Sequence, residues 1–155
     1  MKCQDFMLTD PPRLEQSQTI EKAIKTLIDS KLSALPVVDG SGRLVGLFSA
    51  RELFGRILPA AVKLGSLVPD LAFMDEPLKH TKGDLDRISR DPVGQHIEKN
   101  PQVAHPDTTM MEALLLLYRG RSVLPVVEKG TNRLVGVTWR LHALAKIMES
   151  NSDAR

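Results

Sequence analysis

Apolar residues along this chain fall into two patterns, and each occurs twice in the same order. The first has helical spacing. Ile20, Ala23, Ile24, Leu27 and Ile28 share one face of a 3.6-residue turn, and Met110, Ala113, Leu114, Leu117 and Tyr118 repeat that stripe. The second is a short continuous run, Ala34–Val38 and Val123–Val127, with the length and branched content of a buried strand. A turn follows each run, Asp39-Gly40-Ser41-Gly42 in one copy and Glu128-Lys129-Gly130-Thr131-Asn132 in the other. A second strand, Arg43–Phe48 or Arg133–Thr138, then leads into another helix. Leu53, Phe54, Ile57 and Leu58 give that helix its apolar face, echoed by Ala143, Leu144, Ile147 and Met148. Ser17 and Asp107 are candidate N-caps of the first helices, since their side-chain oxygens can accept a free backbone N–H. Segments around Arg13-Leu14 and Val103-Ala104 can supply a further short strand. The unit is therefore β-α-β-β-α, and two such units predict an α/β (α+β) fold.

The residues repeat as well as the pattern. Leu35-Pro36-Val37-Val38 recurs as Leu124-Pro125-Val126-Val127, and Arg43-Leu44-Val45-Gly46 as Arg133-Leu134-Val135-Gly136. Upstream, Pro11, Thr19, Ala23 and Leu27 match Pro101, Thr109, Ala113 and Leu117. The spacing shortens by one residue before the Leu-Pro-Val-Val block and recovers in the turn after it, where small insertions are tolerated. The division this suggests is 1–58 for the first copy, 59–92 for a connector, 93–149 for the second copy and 150–155 for a tail.

The connector is bounded by Pro59 and Pro92 and is long for a compact module. Leu64, Leu67, Val68, Leu71 and Phe73 argue against a disordered tether. Thr81 followed by Asp84 can open a short helix carrying Leu85 and Ile88, so an ordered, partly helical connector packed on the copies is expected. A lid or partner-docking segment is the alternative. In the second copy Leu115 and Leu116 replace Lys25 and Thr26, which leaves Leu114–Leu117 apolar nearly all round. Such a helix buries more than one side. Its extra face would lie under the connector or in a homodimer interface.

Composition sharpens this picture in a few places. Apolar residues make up 42% and charged residues 26%, an ordinary globular balance, and with aromatics at 4% the core must be aliphatic. The net charge of +2 gives no overall nucleic-acid signature. The basic excess lies from Arg119 onward, which together with Trp139 leaves nucleic acid as the weakest of three partner readings. One cysteine, Cys3, excludes an intrachain disulfide and a cysteine-based zinc site and reads as a spectator thiol. No apolar run approaches a bilayer span and the first residues lack a signal-like apolar stretch, so a cytoplasmic location and no membrane partner are expected.

The repeated blocks resemble a tandem cystathionine-β-synthase (CBS) domain pair, or Bateman module. The first copy carries the whole pattern: an amphipathic helix, Leu35–Asp39, the Gly40–Gly42 turn, Arg43–Gly46, and Ser49-Ala50-Arg51-Glu52 opening a helix. The second copy keeps the strands and loses the final motif. The resemblance implies two units packed through their sheets with pseudo-twofold symmetry. It also implies two clefts able to take AMP, ADP, ATP or S-adenosylmethionine, and a regulatory role acting on a partner or a sister subunit.

The resemblance also names cleft residues. The adenine slot would be lined by Ser33, Ala34, Leu35 and Pro36 in one copy and Ser122, Val123, Leu124 and Pro125 in the other. Ser49 and Glu52 match the hydroxyl and acid positions, with Glu in place of the usual Asp as ribose acceptor, and Arg51 can meet a phosphate. Ser-x-x-Glu is equally a capping box, and the two roles are compatible. In the second copy Trp139 stands at the hydroxyl position and His142 at the acid position, with Arg140 between them. No carboxylate is available there. Trp139 then stacks on a base or simply packs, Arg140 and His142 favour an anion, and a degenerate half-site is expected.

Other chemistry lacks support. His80, His96, His105 and His142 show no metal-ligand spacing, and His80 and His96 read as surface residues. No phosphate-binding glycine loop or nucleophile elbow occurs. The expectation is a stand-alone, non-catalytic, homodimeric sensor of an adenine nucleotide that signals to an unidentified protein partner. The alternative is a ligand-free interaction or dimerisation module with vestigial sites.

Overall fold

The computed structural model describes residues 1–58, 77–121 and 123–153. Among these residues, six α-helices (α1 Cys3–Phe6, α2 Ile20–Ser30, α3 Ala50–Ile57, α4 Pro77–Ile88, α5 Met110–Arg119, α6 Arg140–Asp153) flank two three-stranded sheets. The strands are β1 (Leu8–Thr9), β2 (Leu14–Glu15), β3 (Ala34–Val38), β4 (Leu44–Ser49), β5 (Val123–Val127) and β6 (Leu134–Trp139). The sheet orders are β2-β3-β4 and β1-β6-β5.

In the first copy β2 runs parallel to β3, and β3 pairs antiparallel with β4, which is the expected β-α-β-β-α unit. In the second copy the strand expected around Val103-Ala104 shrinks to one parallel bridge between Ala104 and Val126. Both hairpins carry the same register shift, at Val37/Val38 and at Val126/Val127. The second hairpin strands start and end one residue later than the sequence pattern suggests.

The helix caps differ from expectation. Thr19 and Thr109 are the N-caps of α2 and α5, accepting from the N–H groups of Lys22 at 3.3 Å and Glu112 at 3.2 Å. Ser17 and Asp107 fall in the turns before those caps, and Asp107 instead holds Lys129 at 2.9 Å. Each copy's core lies under its sheet. Leu14, Ile20, Ala23, Leu35, Val37 and Phe48 are buried in one, and Ala113, Leu117, Leu124 and Val126 in the other. The stripes are wider than the sheet contact, so their outer members stay in solvent. Ile28, Phe54, Tyr118, Leu144 and Met148 are exposed.

The copies exchange their leading segments. β1 pairs antiparallel with β6, Leu8 opposite Val137 and Thr9 opposite Gly136, and Cys3 and Phe6 enter the second core. In the mirror position Leu47 pairs with Glu98 through two backbone bonds of 3.0 and 2.9 Å, and Val93 and Ile97 enter the first core. The two hairpin turns also join. Leu44 N–H donates to the Asn132 carbonyl and Leu134 N–H to that of Gly42, both at 3.0 Å. Val38, Leu44, Val127 and Leu134 form an apolar cluster between the sheets.

The connector helix α4 begins at Pro77 rather than near Thr81. Its Leu85 and Ile88 pack on the first core. Leu64, Leu67, Val68, Leu71 and Phe73 lie outside the described residues.

Candidate functional site

The ends of the two hairpins meet between the copies. Ala34 stands opposite Ser49 at the end of one ladder, and Val123 opposite Trp139 at the end of the other. Ala34, Val123 and Val137 share a buried cluster on which Trp139 packs. Beside it opens a cavity of about 290 Å³. The first copy lines it with Ser33, Ala34, Ser49 and Arg51, and the second with Gly120, Arg121 and Arg140. Leu47 and Glu98 line it at the segment crossing. A second cavity of about 290 Å³ adjoins it, reaching Val123, Leu124 and Gln102 and sharing Leu47, Glu98, Gly120 and Arg121.

Ser49 caps α3, accepting from the Glu52 N–H at 3.2 Å, so the capping half of its two readings is realised. Arg51, in the same first turn, borders both the cavity and a surface depression along α3. Glu52 lines that depression with Phe54 and Arg56, and not the cavity. Leu35 and Pro36 are buried within β3. Pro125 sits inside β5 opposite Val137. Ser122 lies outside the described residues.

In the second copy the proposed anion contacts are already engaged. Arg140 Nε donates to the Leu117 carbonyl at 2.8 Å and Nη2 to that of Gly120 at 3.0 Å. This satisfies carbonyls at the C-terminal end of α5, where a cation is favoured. His142 Nδ1 lies 3.0 Å from Thr138 Oγ1, and its ring stacks on Trp139 at 4.5 Å between centroids. Burial, then the Lys146 ammonium, holds the His142 pKa below its ordinary value, so the ring is neutral at pH 7.

Two cleft residues escaped the sequence reading. Glu98 and Arg121 form an ion pair, Oε2 to Nε 3.1 Å, facing both cavities. One signal existed: Glu98 occupies the position of Leu8 in the other copy, so a charge replaces an apolar residue.

The remaining chemistry is quiet. Burial, then the Glu112 carboxylate, pushes the Cys3 thiol up to about 11, which makes it a poor nucleophile. His80 is exposed as expected. His96 is not: its side chain is 11% exposed, with Nε2 2.9 Å from Asp91, because the turn at Val93–Gln95 folds it inward. His105 Nδ1 donates to the Val127 carbonyl at 2.9 Å. Among the described residues no group of three or more His, Cys, Asp or Glu side chains is placed to hold a metal, and no helix is long and apolar enough to cross a membrane.

The family model for the CBS domain matches residues 3–59 and 93–137, more than half of the chain. The chain belongs to the CBS domain family. As a CBS pair it is similar in fold to CBSX2 in complex with AMP (22% identity, 97% of this chain and 98% of that one, TM-score 0.69). CBSX2 from Arabidopsis thaliana gives 22% identity over 97% and 96%, with a TM-score of 0.71. A CBS domain-containing protein from Bacillus anthracis gives 18% identity over 96% and 94%, with a TM-score of 0.72. In sequence the pair is 28% identical over 150 residues to the A-adding tRNA nucleotidyltransferase of Aquifex aeolicus, covering 96% of this chain. It spans 15% of that protein's length. It is 28% identical over 125 residues to protein MJ1426 of Methanocaldococcus jannaschii, covering 76% of this chain and 74% of that protein.

Proposed function

We propose that this CBS pair is a regulatory, non-catalytic module that takes an adenine nucleotide, AMP, ADP, ATP or S-adenosylmethionine, in the cleft between its copies. The observation that carries this reading is the cavity itself. The strand-end residues Ser33, Ala34 and Ser49 lie beside Arg51 and Arg121 around one space, whose wall Arg140 holds through its bonds to the Leu117 and Gly120 carbonyls. That combination offers an apolar edge for a base and cations for phosphate. The AMP complex of CBSX2 supports it. The second copy offers no carboxylate for a ribose, and its Trp139 packs against Ala34, Val123 and Val137, so one full site is the reading we favour. Binding acts on a partner or sister subunit only through unequal affinity for two states. The same reading places the module in the cytoplasm.

A thermal-shift panel of AMP, ADP, ATP, S-adenosylmethionine, NAD and cyclic dinucleotides tests this. At 100 times its Kd a ligand stabilises by about 2.7 kcal/mol, a rise of roughly 5–10 °C for a chain of this size. No shift with any of them would reject the reading.

A second role is favoured by one observation. Met111, Leu115 and Tyr118 on α5 and Leu141, Leu144 and Met148 on α6 are exposed. An apolar face of this kind marks an interface, and a second copy of the pair is the occupant we assign to it. If no ligand binds, pairing or docking through this face becomes the whole function.

A further inference from the structure

The Glu98–Arg121 ion pair borders two spaces of nearly equal size. Each cavity measures about 290 Å³, and Leu47, Glu98, Gly120 and Arg121 border both. Pockets for small-molecule ligands run from about 300 to 1,000 Å³. Either space alone falls at the foot of that range, and the two joined fall well inside it. The two partners are held differently. Glu98 is fixed at its backbone, donating to and accepting from Leu47 at 2.9 and 3.0 Å. Arg121 follows the end of α5, and its side chain is 45% exposed against 28% for Glu98. Parting the pair is therefore a movement of Arg121.

A guanidinium recognises carboxylate and phosphate with the same planar fork, and phosphate offers it more charge and more acceptor oxygens. We propose that Arg121 is, beside Arg51, an anion receptor of the cleft and that Glu98 is its resting counter-ion. A phosphate-bearing ligand enters by taking Arg121 from Glu98, which joins the two cavities into one site. The proposal rests on the nucleotide reading above and assigns to its phosphate a residue pair that the repeat pattern does not contain. The pair also sets selectivity. A ligand without phosphate cannot replace Glu98 on Arg121 and meets a divided cleft. Breaking a partly exposed ion pair costs little, so the resting contact lowers phosphate-ligand affinity by about two- to five-fold.

The test is isothermal titration of AMP and of adenosine into the wild-type chain, Glu98→Gln and Arg121→Gln at one ionic strength. Circular dichroism melting checks that the variants fold. Expected is an AMP affinity two- to five-fold higher in Glu98→Gln, and an AMP-to-adenosine preference that rises in Glu98→Gln and falls in Arg121→Gln to the share that Arg51 holds. If the wild type binds AMP and Glu98→Gln binds it equally or more weakly, the gate is overturned while the nucleotide reading stands. If Arg121→Gln keeps the full preference for AMP, the anion receptor is some other residue and the proposal fails. If AMP and adenosine bind neither the wild type nor Glu98→Gln, both the gate and the nucleotide reading fall.

Discussion

Arg140 Nε donates to the carbonyl of Leu117 at 2.8 Å, tying the first residue of α6 to the last turn of α5. Its Nη2 reaches the Gly120 carbonyl at 3.0 Å. One guanidinium thus answers two carbonyls that the helix cannot satisfy itself and fixes the wall of the cleft that holds Gly120 and Arg121. Arg140→Ala is expected to cost about 1–2 kcal/mol, read as a lower urea midpoint at unchanged slope. Arg140→Lys recovers only part, since an ammonium lacks the fork. An unchanged midpoint would show that water serves these carbonyls equally well.

The exchanged segments can be tested at Gly46. A Cβ there would stand 2.5 Å from the Glu98 carbonyl oxygen and 2.7 Å from Ile97 Cδ1. The backbone contact cannot move without breaking the Leu47–Glu98 pairing, so Gly46→Ala should destabilise by about 1–3 kcal/mol. Gly136 is the mirror position, but there the nearest atom is the flexible Met7 Sδ, also at 2.5 Å. Gly136→Ala is expected to cost less. Equal melting temperatures for the two variants would contradict the geometry of the crossing.

His142 should make stability depend on pH. Burial and Lys146 depress its folded pKa below the ordinary 6.5. The folded chain then binds this proton less readily than the unfolded chain. Its contribution is complete above pH 6.5 and is lost as pH falls through the folded value. Trp139 is the only tryptophan and stacks on this ring, so its fluorescence reports the change directly. Acidification should alter that signal with a midpoint below 6.5, and His142→Gln should abolish the transition. A midpoint above 6.5 would contradict the burial argument.

Much of this fold is legible in the sequence because it depends on local pattern. The Leu-Pro-Val-Val runs are apolar at every position and both are buried strands, and the spacing of Ile20 and Ala23 places both in the core. The segment exchange is not legible. Leu8 and Thr9 are too few to show a period, and their partners Val137 and Gly136 lie far along the chain. The caps fell two residues from Ser17 and Asp107 because Ser, Asp and Thr are all competent, and only the length of the preceding turn selects Thr19 and Thr109. His96 looked like a surface residue because its burial comes from a turn with no apolar pattern of its own. Glu98 and Arg121 meet only after folding, so nothing in either local sequence announces their pairing. The outer residues of each helical stripe, such as Ile28 and Tyr118, read as core although one sheet cannot cover the whole stripe.

That uncovered stripe carries its own consequence. Leu115 is 44% and Leu144 56% exposed on neighbouring helices. If a second copy covers them, light scattering should give about twice the 17.2 kDa chain mass, and Leu115→Lys with Leu144→Lys should give the single chain without unfolding it. A wild-type monomer at micromolar concentration would remove the homodimer.

The central claim is that the cleft of this CBS pair takes an adenine nucleotide against Arg51. Isothermal titration of AMP into the wild type and into Arg51→Ala tests it most directly, because Arg51 is exposed and its removal leaves the helix intact. One AMP per chain is expected, with affinity about ten-fold lower in Arg51→Ala, the loss of one charge-assisted contact. No heat of binding in the wild type, or an affinity unmoved by Arg51→Ala, would contradict it.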